Sequence, residues 1–288
     1  MARASIFELL EKSNNLTQDY RRIRKLVESE PLFYIDAQID SFFDSDEYTL
    51  MWYISQAGFD MWKNKSFCID FNDYYESINM DQIILLAESN LEYFLTYLEL
   101  IYNFWYIAKN NKVPNIEIEY YSNFTFLKTL MDNCLSKYNH KVVYIPEEEK
   151  ALVVEDKSEV TAVVEVVQPE LAVSILRYNH HNLKGDIETK KSILLSMYSD
   201  LEPKRTKLRS INKSLEENIS YMMNNLNLRH NNTVPKNKNY NEVVAEMTKE
   251  EIENWYDEIY QTILLAFLEL EQQERNSRIQ ELKIKINK

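Results

Sequence analysis

The sequence predicts an all-α chain, with an up-down four-helix bundle in the C-terminal half, a helical domain in the N-terminal half, and a small β-hairpin between them. Three observations carry this. Of 288 residues only Gly58 and Gly185 are glycine, where average usage would give about 20, so a sheet with many tight glycine turns is improbable. Apolar residues recur at spacings of three and four over long stretches, the period of an amphipathic helix. Boxes of the form Ser/Thr-x-x-Glu stand ahead of several of those stretches and mark helix starts. The glycine count also excludes GxGxxG and GxxxxGK loops, and with them Rossmann dinucleotide sites and Walker-type ATPases.

In the N-terminal domain, residues 1–140, the segments 17–30, 47–62 and 122–139 read as helices, with Pro31 and Pro114 as breaks. The longest helix is expected over 80–110, where Ile84, Ala87, Leu91, Phe94, Leu98, Ile101 and Trp105 form a heptad seam. Glu92 and Glu99 interrupt its most apolar part, so it reads as a core helix and not a membrane span. Tyr, Trp and Phe are dense over 33–126 without interleaved basic residues, a pattern of helix packing rather than base stacking. Over 141–156, the runs Val142-Val143-Tyr144-Ile145 and Ala151-Leu152-Val153-Val154 flank the polar turn Pro146 to Lys150 and predict the hairpin connector.

Residues 157–288 predict the bundle. Its first helix begins near Pro169, a favoured first-turn residue, and runs to His181, with Gly185 ending the connection. The second starts at Asp186 as N-cap and carries Ile193, Leu194, Met197 and Leu201, and Pro203 interrupts it before Leu208 and Ile211. The third opens with a Ser214-x-x-Glu217 box, places Leu215, Ile219, Met222 and Leu226 on one stripe, and ends near Arg229. The fourth opens with Thr248-x-x-Glu251 and continues through Ile252, Trp255, Tyr256, Ile259, Ile263, Ala266 and Leu270, the clearest amphipathic stripe in the chain.

The formal net charge of -13 repels nucleic acid and anionic membrane at long range. Residues 175–240 nonetheless hold 12 Lys and Arg against 6 Asp and Glu, a local charge of +6 that leaves -19 on the rest. Cys68 and Cys134 are isolated, without a CxxC partner, so no disulfide framework or cysteine zinc site is expected and reduced cytosol fits. The N-terminus lacks the apolar stretch of a signal peptide, and the protein is expected to be cytoplasmic and free of the membrane.

Up-down topology sets the C-terminal ends of the first and third bundle helices at one pole. That gathers Arg177, His180 and His181 with Arg229, His230, Asn231 and Asn232, three of the chain's four histidines. A helix C-terminus favours imidazolium. Cleaving RNA without a metal needs a base, an acid and cationic stabilisation of the phosphorane, roles that Arg229, His230, His181 and Asn231 can share if a second histidine is close, from His180, His181 or a symmetry mate. Arg177, His180 and Asn232 are then RNA contacts, and the run Lys204-Arg205-Thr206-Lys207-Leu208-Arg209, at the opposite end of the third helix from Arg229 and separated from it by that helix's span of about 25 Å, tracks a longer strand through Arg205, Lys207 and Arg209. Helix capping by Arg, His and Asn stays open beside this reading. The adjacent His180 and His181 lie about 100° apart on a helix and do not make a zinc motif; no metal and no cofactor is expected.

The run EPKRTKLRSINKSLEENISYMMNNLNLRHNN, followed by TKEEIENWYDEIYQTILLAFLELE and preceded by RYNHHNLKGDIETKKSILL, resembles helical proteins of the HEPN type from bacterial abortive-infection and toxin systems. The resemblance covers the final 125 residues or so. It implies a metal-independent endoribonuclease, often dimeric and paired with an antitoxin, whose signature is an Arg followed after four to six residues by a His. Arg229 takes the arginine's place and Asn231 the polar neighbourhood. Positions 234, 235 and 236 are Val234, Pro235 and Lys236, and His230 follows Arg229 directly, so the signature spacing is not met. Two functions stand open: an RNA-targeting effector of phage defence, and a non-catalytic helical adaptor or sensor that binds a protein partner.

Overall fold

The computed structural model describes residues 15–37, 46–65, 67–110, 112–114 and 116–287; the first 14 residues, read above for an export signal, lie outside them. The chain divides into two units, Met1–Glu155 and Asp156–Lys288. It is mostly helical with small antiparallel sheets. No helix among the described residues is long and apolar enough to cross a membrane.

In the first unit, helix α1 (Leu16–Glu28) opens at Asn15, whose side chain accepts from the Gln18 N–H. Strands β1 (Phe33–Ala37), β2 (Asp46–Tyr48) and β3 (Ile116–Tyr120) form an antiparallel sheet in the order β2-β1-β3, with Phe33 opposite both Tyr48 and Tyr120 and Ile35 opposite Ile118. This sheet corrects the all-α expectation. Its strands are short, and β1 and β3 meet across some 80 residues of chain. The expected helix over 47–62 is a strand end, a single turn α2 (Leu50–Tyr53), a π-helical turn Ile54–Gly58 and a 3-10 turn Phe59–Met61. At Gly58 a Cβ would stand 2.6 Å from the Tyr53 ring, so only glycine fits there.

After α3 (Phe71–Ser77), the expected helix over 80–110 is two: α4 (Met80–Ala87) and α5 (Leu91–Lys109). Asn90 divides them, because its side chain accepts from the N–H groups of Glu92 and Tyr93 and starts a new helix. Helix α5 runs through the core and buries Phe94, Leu98, Ile101 and Phe104, and α6 (Ser122–Lys137) follows β3. The expected hairpin forms as β4 (His140–Ile145) and β5 (Lys150–Glu155), with Val142 opposite Val153. Asn103 on α5 donates to the Ala151 carbonyl at 3.0 Å and accepts from the Ala151 N–H at 2.9 Å, and the Val153 N–H donates to Glu99 at 2.6 Å. The hairpin is thus stitched into the first unit and is not a free-standing connector over 141–156. Apart from Gly185, the left-handed positions of the described residues are Asn79, Asn139, Glu149 and Asn227.

The second unit holds α7 (Ser158–Val164), α8 (Pro169–Tyr178), α9 (Ile187–Leu201), α10 (Arg205–Ile211), α11 (Lys213–Asn225), α12 (Glu242–Glu246) and α13 (Lys249–Ile286). Asp186 caps α9 as expected, accepting from the Thr189 N–H at 3.0 Å, and Pro203 sits in a 3-10 turn that ends it. The expected second and third helices part at Asn212. Its side chain caps α11 by accepting from the Leu215 N–H, and Ser214 donates to Asn212 instead of forming the expected box with Glu217. The Thr248–Glu251 box forms in full and starts a 38-residue helix. Tyr256, Ile259, Ile263, Ala266 and Leu270 are buried along α13, while Trp255 from the same expected stripe is 44% exposed. Helix α13 packs on α7, α9, α10 and α11. Lys207 reaches Glu274 near its far end, and every residue from 275 to 286 is exposed.

Candidate functional site

Helix α11 stops at Asn225, short of the expected Arg229, and the chain bends through Asn227 with φ 56°. The Arg229 guanidinium then lies 3.1 Å from the Glu202 carboxylate and 5.2 Å over the Tyr198 ring, both at the C-terminal end of α9. His230 is exposed. Asn231 accepts from the N–H groups of Thr233 and Val234, the bond pattern of an Asx turn. Asn232, 1% exposed, exchanges hydrogen bonds with Asn227, donates to the Asn239 carbonyl at 2.8 Å, and accepts on its own carbonyl from the Asn241 N–H. The two asparagines build the 226–241 loop, and Asn232 is buried in it, out of reach of a substrate.

At the other end of α9, Arg177 is exposed in the last turn of α8, and the half-buried His180 and His181 lead into a 3-10 turn, His181–Leu183. Tyr178 stacks on Tyr260 with ring centroids 4.0 Å apart and donates to Asp257 at 2.8 Å. Buried Lys190 sits 2.7 Å from Asp257 and 2.8 Å from Glu253, which also accepts from the Gly185 N–H. Burial pushes the Glu253 carboxyl up, but the Gly185 N–H and the Lys190 bond and charge outweigh it and hold it below its ordinary value. Burial, then Asp257, pushes the Tyr178 hydroxyl far above its ordinary value. Sequence reasoning missed this clasp; its one local signal is a lysine on an otherwise apolar helix face.

The two stretches therefore attach to opposite ends of α9. Tyr198 and Glu202 stand 8 and 12 residues beyond Lys190, about 12 and 18 Å along the axis. The expected gathering of Arg177, His180 and His181 with Arg229, His230, Asn231 and Asn232 at one pole is not realised. The break at Asn212 explains it. In one continuous helix Arg205 and Glu216 would be about 16 Å apart, yet they touch. Helix α11 turns back against α10, and its end lands beside the end of α9 instead of its start.

The same fold consumes the basic run. Arg205 donates to Glu216 at 2.7 Å through Nε, Arg209 pairs with Glu217 at 2.8 Å, and Lys207 pairs with Glu274 at 2.9 Å. Glu216 is 2% exposed. Burial raises its carboxyl, but hydrogen bonds from Ser220 and Arg205 and the charges of Arg205 and Arg209 win and lower it. The three cations expected to track RNA are the positive halves of pairs within the chain. The signal was there in Glu216-Glu217, set just across Asn212 from them.

Sequence reasoning also passed over a cleft in the first unit, lined by Tyr53, Trp62, Tyr106 and Tyr144 with Glu149 at its edge. Its space of about 30 Å³ holds roughly two waters and no drug-sized ligand. Lys112 and Lys63 both hold Glu149 and lower its carboxyl, the Lys112 bond most, while Asn64 donates to the carbonyls of Glu148 and Glu149. These contacts fix the hairpin turn in its left-handed bend. No known family model, curated protein or solved structure matches the chain, so the geometry alone carries the functional reading.

Proposed function

We propose that the chain is a non-catalytic helical adaptor or sensor of the bacterial phage-defence type, cytoplasmic, in which a HEPN-like second unit binds a protein partner. One observation carries the reading: Arg229, the residue in the signature position, is engaged by Glu202 and Tyr198 at the end of α9 remote from His180 and His181. An RNA-cleaving site asks for an arginine and two histidines around one phosphate. The net charge of -13 supports the same choice, because a partner protein suits it better than a polyanion.

The test is direct. Purified chain incubated with RNA in EDTA should leave it intact, with no cyclic-phosphate ends. Any growth effect on expression should persist in Arg229→Ala and His230→Ala. EDTA-resistant cleavage that disappears in folded His230→Ala overturns the reading in favour of an endoribonuclease.

A further inference from the structure

We propose that the last turns of α13 are a docking helix whose Ile279, Leu282 and Ile286 insert into an apolar groove with an acidic rim on a partner protein. This rests on the adaptor reading and names the surface it uses. The three side chains are 45%, 55% and 72% exposed. They follow the i, i+3, i+7 spacing by which an amphipathic helix anchors in a groove, and at 100° per residue they fall within a band of about 60°. The helix is one piece with a 38-residue element whose body is buried in the second unit. It therefore meets a partner already ordered, which reduces the entropy lost on binding.

Charge selects the occupant. Lys283 flanks the apolar band on one side and Lys285 on the other, next to Arg278, which already pairs with Glu271 at 3.0 Å. A second copy in either orientation would bring these cations against their own kind, the arrangement that disfavours self-pairing in coiled coils. A partner with carboxylates along the groove answers them. A bilayer surface is a poorer match, because the band is narrow and residues 268–288 contain no Trp, Tyr or Phe. RNA has no use for three aliphatic anchors, since its phosphates take only the cations.

Labelled synthetic helices supply the probe: one with Leu at its seam positions and Glu at the flanks, and a twin with Lys at the flanks. Fluorescence anisotropy with the full chain should show the Glu helix binding at least about tenfold more tightly than the Lys twin. Leu282→Asp, at an exposed position, should leave the far-UV circular dichroism unchanged and abolish binding, and joint Lys283→Glu and Lys285→Glu should reverse the preference. Equal binding of the two helices, binding that survives Leu282→Asp, or binding instead to vesicles of phosphatidylglycerol and phosphatidylcholine overturns the proposal. Those failures leave the adaptor reading standing, whereas His230-dependent RNA cleavage removes it whatever the helices do.

Discussion

Replacing Glu216 by Gln isolates the charge that folds α10 against α11. The carboxylate is 2% exposed and accepts from Arg205 and from Ser220 at 2.7 Å. A hydrogen bond to a charged group contributes about 1.5 to 3 kcal/mol. The Arg205 side chain is 35% exposed and regains water when its partner is neutralised, so the loss sits toward the lower end. Gln keeps the volume and the Ser220 bond, and Glu216→Gln should cost about 2 kcal/mol, or roughly 1 M in urea midpoint. Urea unfolding by far-UV circular dichroism reads this, and hydrogen exchange over residues 205–225 should show faster opening there than in α13. The pH dependence has a definite sign. The Glu216 carboxyl is lowered in the fold, so its contribution is present above the unfolded value near 4.3 and is lost as pH falls through the folded value. The gap between wild type and Glu216→Gln should hold from about pH 7 to 5 and narrow steadily as pH falls below the unfolded value near 4.3. A variant as stable as wild type at pH 7, or a gap unchanged at pH 3, refutes the account of α11 folded back on α10.

Two further outcomes follow from contacts already described. Asn232→Ala removes two side-chain hydrogen bonds inside the 226–241 loop and should cost about 1 to 3 kcal/mol. Exchange protection there should drop first; unchanged protection contradicts the loop's dependence on that side chain. Burial, chiefly, pushes the Cys134 thiol up to about 12, while Cys68 is only half-buried. Ellman's reagent at pH 8 should titrate one thiol rapidly and the second only after unfolding; two fast thiols rule this out.

What the sequence made legible was what is decided within a turn or two of chain. Asp186 and the Thr248–Glu251 box cap their helices because donor and acceptor are three residues apart. The pairing of β4 with β5 joins two runs on either side of one short turn. The break at Asn90 was hidden, since the apolar period continues through it and only the cap bond reveals the new start, whereas the start after Asn212 was expected at Ser214 with the wrong residue as cap. The pairing of β1 with β3 is set by distant chain. The candidate site failed in the same way. Arg205, Arg209 and Arg229 are visible as cations, but whether a guanidinium meets a phosphate or the chain's own Glu216, Glu217 and Glu202 depends on how the helix between them folds.

Three of the chain's reverse bends put an asparagine, at positions 79, 139 and 227, where many proteins would set a glycine. A side chain there narrows the wandering of the unfolded polypeptide, so each corner starts nearer its final form and gives up about 0.4 to 1 kcal/mol less disorder on closing. Substituting glycine at those corners would slacken the joints while leaving the helices they connect untouched. At these three corners the chain direction is thus held by a side chain as well as by the backbone.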